Sequence, residues 1–321
     1  MAKDKILVIG ANGQIGTVLL EQLRKIHGTD QVIGSDIVAP REENGPFVVL
    51  DATNVLAMVE TVHRHGITQI YHLAAVLSAK GELDPLRAWE LNMRTLFNVF
   101  EVAREVKLDK VFFPSSIAAF GDSAPQYDTP QATYLDPSTV YGISKVAGEN
   151  WAGYYHKRYG VDIRSLRYPG VISYQSMPGG GTTDYAVEIF HEAVQHKPYT
   201  CFLREDTLLP MIYMDDAIRA TLELMEAPVE NIRIRSSYNL AGVSFTPAQV
   251  TAEIKRYYPD FEVQYQPDFR QMIADSWPKS VDDTAAYQDW GWKPQFDLAR
   301  MTQVMIEKLS EKYQQKLLIT Q

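Results

Sequence analysis

Four consecutive apolar residues near the start of the chain, Ile6-Leu7-Val8-Ile9, run straight into Gly10-Ala11-Asn12-Gly13-Gln14-Ile15-Gly16. A short apolar run bounded by glycine reads as a strand buried on both faces, the habit of parallel sheets. From Gly16 to Ile26 the apolar residues Val18, Leu19, Leu20, Leu23 and Ile26 form one helical stripe. The glycines therefore sit at a strand-to-helix turn. There they let the chain turn tightly and let a pyrophosphate approach the helix N-terminus, where unpaired N–H groups and the dipole favour anions. The spacing G-x-x-G-x-x-G is a variant of the dinucleotide fingerprint, so Gly10, Asn12, Gly13, Gln14, Ile15 and Gly16 are the expected phosphate contacts.

The alternation continues along the chain. Segments 31–37, 47–50, 70–73, 110–114 and 163–166 read as strands, with helices at about 55–65, 88–105 and 141–159. Strands joined by right-handed helical crossovers give an α/β doubly wound parallel sheet of the Rossmann kind. After Arg167 the pattern changes. Glycine and proline crowd 169–181, a helix follows at about 184–195, and 211–226 returns to strand-then-helix. Shorter mixed elements then lead to a helix from about Leu298. The expectation is a nucleotide-binding domain over 1–170, with about 208–240 returning to it. A smaller, discontinuous domain over 171–321 would cover the ends of the sheet.

The 321 residues suffice to bury a core without staples, and 45% hydrophobic with 22% charged residues is ordinary for a soluble globular protein. Asp and Glu outnumber Lys and Arg by 40 to 31, a net charge of −9, which repels phosphate backbones and argues against a nucleic-acid partner. The one cysteine, Cys201, permits neither an intrachain disulfide nor a thiolate zinc cage. His63 and His65 fall on different faces of their helix, and His191 and His196 are five apart, so no metal is expected. The apolar opening is too short for a membrane span and lacks a signal-peptide layout. A cytoplasmic protein with a reduced cysteine is expected.

Asp36 ends the second expected strand, twenty residues beyond Gly16. An acid there hydrogen-bonds an adenosine ribose and repels a 2′-phosphate. The next basic residue is Arg41, preceded by Pro40, so NAD is expected rather than NADP. Asp51 and Ala52 follow the third strand, where an acid can face the adenine.

Tyr141 and Lys145 open a helix and share one face at i and i+4. A phenol has a pKa of about 10, and lowering it by about three units takes roughly 4 kcal/mol. A neighbouring ammonium and an oxidised nicotinamide both stabilise phenolate. Ser116, just after the fifth strand, can hold a substrate oxygen for proton removal at the carboxyl edge of the sheet.

This set of residues resembles the extended, epimerase-like branch of the short-chain dehydrogenase/reductase superfamily, and the likeness runs the length of the chain. It rests on Gly10 to Gly16, Asp36, His72-Leu73-Ala74-Ala75, Asn92 with Thr95, Ser115-Ser116, and Tyr141 with Lys145, Ser116 standing 25 residues before Tyr141. The resemblance implies Tyr141 as general base. It makes Ser116 the residue that orients the reacting hydroxyl, and Lys145 the one that binds the nicotinamide ribose. It also puts Leu73, Ala74, Ala75, Asn92, Tyr168 and Pro169 along the NAD.

The branch often carries Arg-Tyr-Phe-Asn after its sixth strand. Here Arg167-Tyr168-Pro169-Gly170 stands there, followed by Met177-Pro178-Gly179-Gly180-Gly181-Thr182-Thr183-Asp184-Tyr185-Ala186. That run, with Leu77-Ser78-Ala79-Lys80-Gly81-Glu82 and Asp275-Ser276-Trp277-Pro278, resembles the family of short-chain-type L-threonine 3-dehydrogenases. In that family Ser116 has a threonine as its alternative, which keeps the hydroxyl. The resemblance implies oxidation of the β-hydroxyl of L-threonine by NAD to 2-amino-3-ketobutyrate. A zwitterion needs donors for its carboxylate and an acceptor for its ammonium. Gly181, Thr182 and Thr183 before a helix suit the carboxylate, Ser78 adds a hydroxyl, and Asp184 suits the ammonium. Trp277 is a candidate to approach the substrate from the smaller domain.

Two other readings stay open. A nucleotide-sugar epimerase or dehydratase would draw on basic residues such as Arg204, Arg219, Arg233 and Arg235. A non-catalytic NAD-binding regulator would be expected to lack the tyrosine or the lysine. The resemblance also implies a homodimer paired through two long helices, with Val99, Phe100, Val102, Trp151 and Tyr155 as candidate contacts.

Overall fold

The computed structural model describes residues 4–40, 42, 44–177 and 179–319; Arg41 and Pro178 lie outside them. The first half runs β1 (Ile6–Ile9), α1 (Gln14–His27), β2 (Val32–Asp36), β3 (Phe47–Val49), α2 (Val55–His65), β4 (Gln69–His72), α3 (Ser78–Gly81), α4 (Pro85–Val106), β5 (Lys110–Ser116), α5 (Val140–Tyr159) and β6 (Ile163–Tyr168). The second half adds β7 (Gly170–Ile172), α6 (Tyr185–Val194), β8 (Tyr199–Cys201), β9 (Leu209–Tyr213), α7 (Met214–Glu226), β10 (Tyr238–Asn239) and β11 (Val243–Phe245). It ends with α8 (Pro247–Lys255), β12 (Val263–Tyr265), α9 (Arg270–Asp275), α10 (Thr284–Trp290) and α11 (Leu298–Ile319).

Seven strands form one sheet in the order β10-β6-β5-β4-β1-β2-β3, every neighbouring pair parallel. The order reverses between β1 and β4, so the connections leaving their carboxyl ends part and open a crevice there. Strand β1 is buried along its whole length, as a central parallel strand covered by helices must be. One face of the sheet packs Val18, Leu19 and Leu23 of α1 with Ala217, Ile218 and Leu224 of α7. The other packs Met58 and Val62 of α2, Leu96, Val99 and Phe100 of α4, and Ala152 and Tyr155 of α5. Residues 214–226 and 238–239 thus pack on or join the large sheet, although they follow the glycine-rich stretch in sequence.

Three features depart from the expectation. Strand β5 runs on through Ser115 and Ser116, which pair with Arg167 and Tyr168 of β6, where the strand was expected to end at Pro114. Strands β7, β9 and β11 build a second sheet, and β8 pairs with β12. Val99, Phe100, Val102 and Tyr155 are core residues, 0%, 0%, 2% and 5% exposed; of the five candidate dimer contacts Trp151 alone is exposed, at 39%.

Helix α5 begins at a Thr139 cap, whose side chain accepts a hydrogen bond from the Gly142 N–H. A Cβ on Gly142 would lie 2.1 Å from the carbonyl oxygen of Ala118, so the helix start presses on the backbone just after β5. That close approach brings Tyr141 to the end of the strand that carries Ser116.

Candidate active site

The carboxyl ends of β1, β4, β5 and β6 surround a cleft of about 530 Å³. A more open depression of about 720 Å³ between the end of α7 and α10 contains none of the candidate residues. The cleft brings together Gly10, Asn12, Gly13, Gln14, Ile15 and Gly16 of the first turn, Leu73 and Ala75 after β4, and Ser116, Tyr141, Lys145, Tyr168 and Pro169. Ser78, Gly181, Thr182, Thr183 and Asp184 line its other side.

Asp36, Asp51, Ala52, Ala74 and Asn92 are not among the cleft lining. Asp36 ties the glycine turn to the end of β2, accepting from the Asn12 N–H at 3.0 Å and the Ile37 N–H at 2.8 Å. Asp51 accepts from the Thr53 N–H and hydroxyl, at 2.9 and 2.8 Å, ahead of α2. The Ala52 carbonyl accepts from Asn98 at 2.8 Å. Asn92 spends its amide on the backbone of Val76, accepting from its N–H at 2.7 Å and donating to its carbonyl at 3.1 Å. It therefore braces the segment after β4. The backbone of Ala74 backs onto Gly10, where a Cβ would come within 2.7 Å of the Ala74 nitrogen.

Sequence reasoning missed Val76, Ile117, Val171 and Ser176 in the lining. Ser176 presents a buried hydroxyl without a hydrogen-bond partner. It lies in an irregular segment with no periodicity to mark it. Trp277 reaches the cleft from beyond α9 and is 5% exposed.

The Ser116 hydroxyl accepts from the Ala118 N–H at 3.1 Å and hydrogen-bonds the phenol of Tyr141. Burial pushes that phenol up to about 12, and the Ser116 bond pulls it the other way. Lys145 donates to the Pro114 carbonyl at 2.6 Å, with its Nζ 5.2 Å from the Tyr141 ring centroid and 4.8 Å from that of Phe113. Burial brings its ammonium down to about 7, and the Glu149 carboxylate acts to raise it. The expected lowering of the phenol is thus not a property of these side chains by themselves. Desolvation outweighs a lysine that is itself desolvated.

The substrate side also departs from expectation. The N–H groups of Gly180 and Gly181 donate to the Asp184 carboxylate at 2.8 and 2.6 Å. The loop folds back onto the residue before α6, so these amides meet an anion of the chain's own. Burial pushes the Asp184 carboxyl above the usual carboxylate range, and the two glycine N–H groups oppose this. Ser78 and Thr182 bond to each other at 3.2 Å, pinning the glycine-rich loop to α3.

Arg204, Arg219, Arg233 and Arg235 pair with Asp275, Asp216, Asp289 and Asp162, and none lines the cleft. Its basic residues are Lys80 and Lys145. Among the described residues no three His, Cys, Asp or Glu side chains group so as to hold a metal ion. No helix among them is long and apolar enough to cross a membrane.

The turn after β1 fits a dinucleotide pyrophosphate. No side chain caps α1, and no acid stands in its first turn, so its amides face the cleft uncompensated. A Cβ on Gly16 would fall 2.1 Å from the Gly10 carbonyl oxygen, so the turn closes only over glycine.

Comparison with known proteins agrees with this geometry. An uncharacterized epimerase/dehydratase of Staphylococcus haemolyticus is 49% identical over 98% of this chain and 100% of its own. The GalE-like L-threonine dehydrogenase from Cupriavidus necator, in its holo form, superposes with a TM-score of 0.94 at 56% identity, covering 95% of this chain and 99% of that one. An L-threonine dehydrogenase from Clostridium difficile does so with a TM-score of 0.94 at 45% identity, over 97% and 99%. The model of the NAD dependent epimerase/dehydratase family matches residues 6–241, and the chain belongs to that family.

Proposed function

We propose that this protein oxidises the β-hydroxyl of L-threonine to 2-amino-3-ketobutyrate with NAD. The observation that carries the reading is the likeness, at 56% identity over 95% of the chain, to a protein described as an L-threonine dehydrogenase. The cleft supports it. It is small, its rim of Ser78, Thr182 and Asp184 offers short polar groups suited to an amino acid, and no arginine stands ready for a second pyrophosphate.

Bound NAD supplies the hydride acceptor. Gly10 to Gly16 would hold the pyrophosphate, and Asp36 at the end of β2 would meet the adenosine ribose, which favours NAD over NADP. Asp51 and Ala52, after β3, would stand on the adenine side. Leu73, Ala74, Ala75, Tyr168 and Pro169 shape the cofactor's path, and Asn92 steadies it from behind. Ser116 holds the threonine hydroxyl for Tyr141, which takes the proton. Lys145 would bind the nicotinamide ribose and, while protonated, adds positive charge beside the phenol. Asp184 receives the ammonium, and Gly181, Thr182 and Thr183 are drawn to the carboxylate as the loop closes.

On this reading residues 1–170 with about 208–240 form the cofactor domain, and the rest of 171–321 forms the substrate domain. We infer a homodimer through α4 and α5, whose outward side chains include Leu86, Trp89, Ile143, Trp151, Tyr154 and Tyr159. We also infer a cytoplasmic location, in keeping with the buried free thiol of Cys201.

The test is NADH formation with L-threonine, run against UDP-sugars and other hydroxy acids. Absorbance should rise with threonine and NAD alone. No rise with threonine, alongside conversion of a UDP-sugar, would replace this reading by the epimerase one.

A further inference from the structure

Behind the tyrosine and lysine lies a buried ion pair to which the reaction assigns no part. Glu149 follows Lys145 by one turn of α5 and is 1% exposed; Arg167 on β6 is 4% exposed. Arg167 donates from Nε to Oε1 at 2.9 Å and from Nη2 to Oε2 at 2.7 Å. The Ser115 hydroxyl donates to Oε1 at 2.5 Å. The remaining Arg167 nitrogen, Nη1, donates to the Gln131 carbonyl at 3.1 Å and Asn239 Oδ1 at 3.0 Å. Its guanidinium carbon stands 5.0 Å from the Phe120 ring centroid.

One carboxylate therefore joins the three elements that carry the site. These are α5 with Tyr141 and Lys145, β5 with Ser115 beside Ser116, and β6 with Arg167 beside Tyr168. A buried ion pair is a weak source of stability, because desolvation offsets its attraction. Its position is the informative property. We propose that Glu149 is a positioning residue whose carboxylate, balanced by Arg167, sets the field at Lys145 and so how firmly the lysine holds its proton beside Tyr141.

The other groups facing Lys145 leave this role to Glu149. Its own helix offers Tyr141, and β5 offers the Phe113 ring and the Pro114 carbonyl, all uncharged while the phenol keeps its proton. From β4 comes His72, held neutral by burial, with the Thr95 hydroxyl of α4 on its Nε2 at 3.3 Å. Lys80 and Asp184 line the same cleft. The field of Glu149 acts to keep Lys145 protonated.

The inference rests on the proposed chemistry only for its effect on turnover, so the test reads the lysine itself. Lys145 reactivity toward acetic anhydride is measured against pH in the full chain without added cofactor, by peptide mass spectrometry. Glu149→Gln removes the negative charge and leaves Arg167 unbalanced, so the titration midpoint of Lys145 should fall by about one pH unit, the scale Coulomb's law gives for a nearby unit charge. Arg167→Met leaves Glu149 unbalanced, so the midpoint should rise by about as much. Glu149→Asp keeps the charge and should restore the wild-type value. All three changes strain the same pair, so a merely structural role would lower thermal stability in each and leave the midpoint unmoved. That result, or shifts of the same sign in the first two, overturns the proposal. If Glu149→Gln does not fold, an unmoved midpoint in Arg167→Met overturns it equally. The pH profile of threonine turnover should follow the labelling shifts. Labelling shifts without any threonine turnover would sink the substrate reading and leave this one standing.

Discussion

Replacing Tyr141 by phenylalanine should lower the turnover of threonine by about 10²- to 10⁴-fold, the usual worth of a positioned acid–base group. The change removes one hydroxyl and keeps the ring against which Lys145 lies, 5.2 Å from its centroid. NAD affinity should therefore stay near that of the wild type. The size of the effect follows from the site's electrostatics. Burial pushes the phenol up to about 12, with the Ser116 hydroxyl acting the other way, so the group works in a desolvated site where bulk water is a poor substitute. Steady-state kinetics with a separate NAD titration checks this. A loss of less than about tenfold would remove Tyr141 as the base.

Gly16→Ala should cost NAD binding rather than chemistry. The added Cβ would stand 2.1 Å from the Gly10 carbonyl oxygen and 2.9 Å from the Ala11 Cα, both backbone atoms that cannot swing aside. Overpacking of this kind costs roughly 1–3 kcal/mol. If the turn opens to relieve it, NAD affinity falls by about ten- to a hundredfold. Gly13→Ala is the internal comparison, because its Cβ would meet the same oxygen at 3.2 Å. Its loss should be clearly smaller. Equal losses, or none in Gly16→Ala, would show that the turn does not hold the pyrophosphate.

Where the chain is periodic, the sequence already carries its structure. The stripe Val18, Leu19, Leu20 and Leu23 places α1, and the apolar run Ile6 to Ile9 places the central strand. The glycine turn and the Tyr141/Lys145 pair were legible because each needs particular residues at fixed spacing. Other features depend on partners distant in sequence. Pro114-Ser115-Ser116 has turn-like composition, yet six residues of β5 pair with β6 and carry the strand through Ser116. The sheet of β7, β9 and β11 begins amid glycine and proline, where no periodicity survives. Phe100 and Tyr155 were candidate dimer contacts by resemblance alone, and α4 and α5 turn them into the core with Phe113 and Ala152. The Gly181 amide looked free for a ligand because nothing local shows that Asp184 reaches back to it and to the Gly180 amide. The Glu149–Arg167 pair joins residues 18 apart on different elements, which only the packed fold reveals.

The central claim is that hydride leaves the β-carbon of threonine and does not return. L-Threonine carrying deuterium at that carbon, incubated with NAD and the protein, tests it most directly. The account predicts NADH that contains the deuterium, formed in step with 2-amino-3-ketobutyrate. Reduced cofactor without deuterium, or threonine left intact while a UDP-sugar is epimerised with no net reduction of NAD, would contradict it.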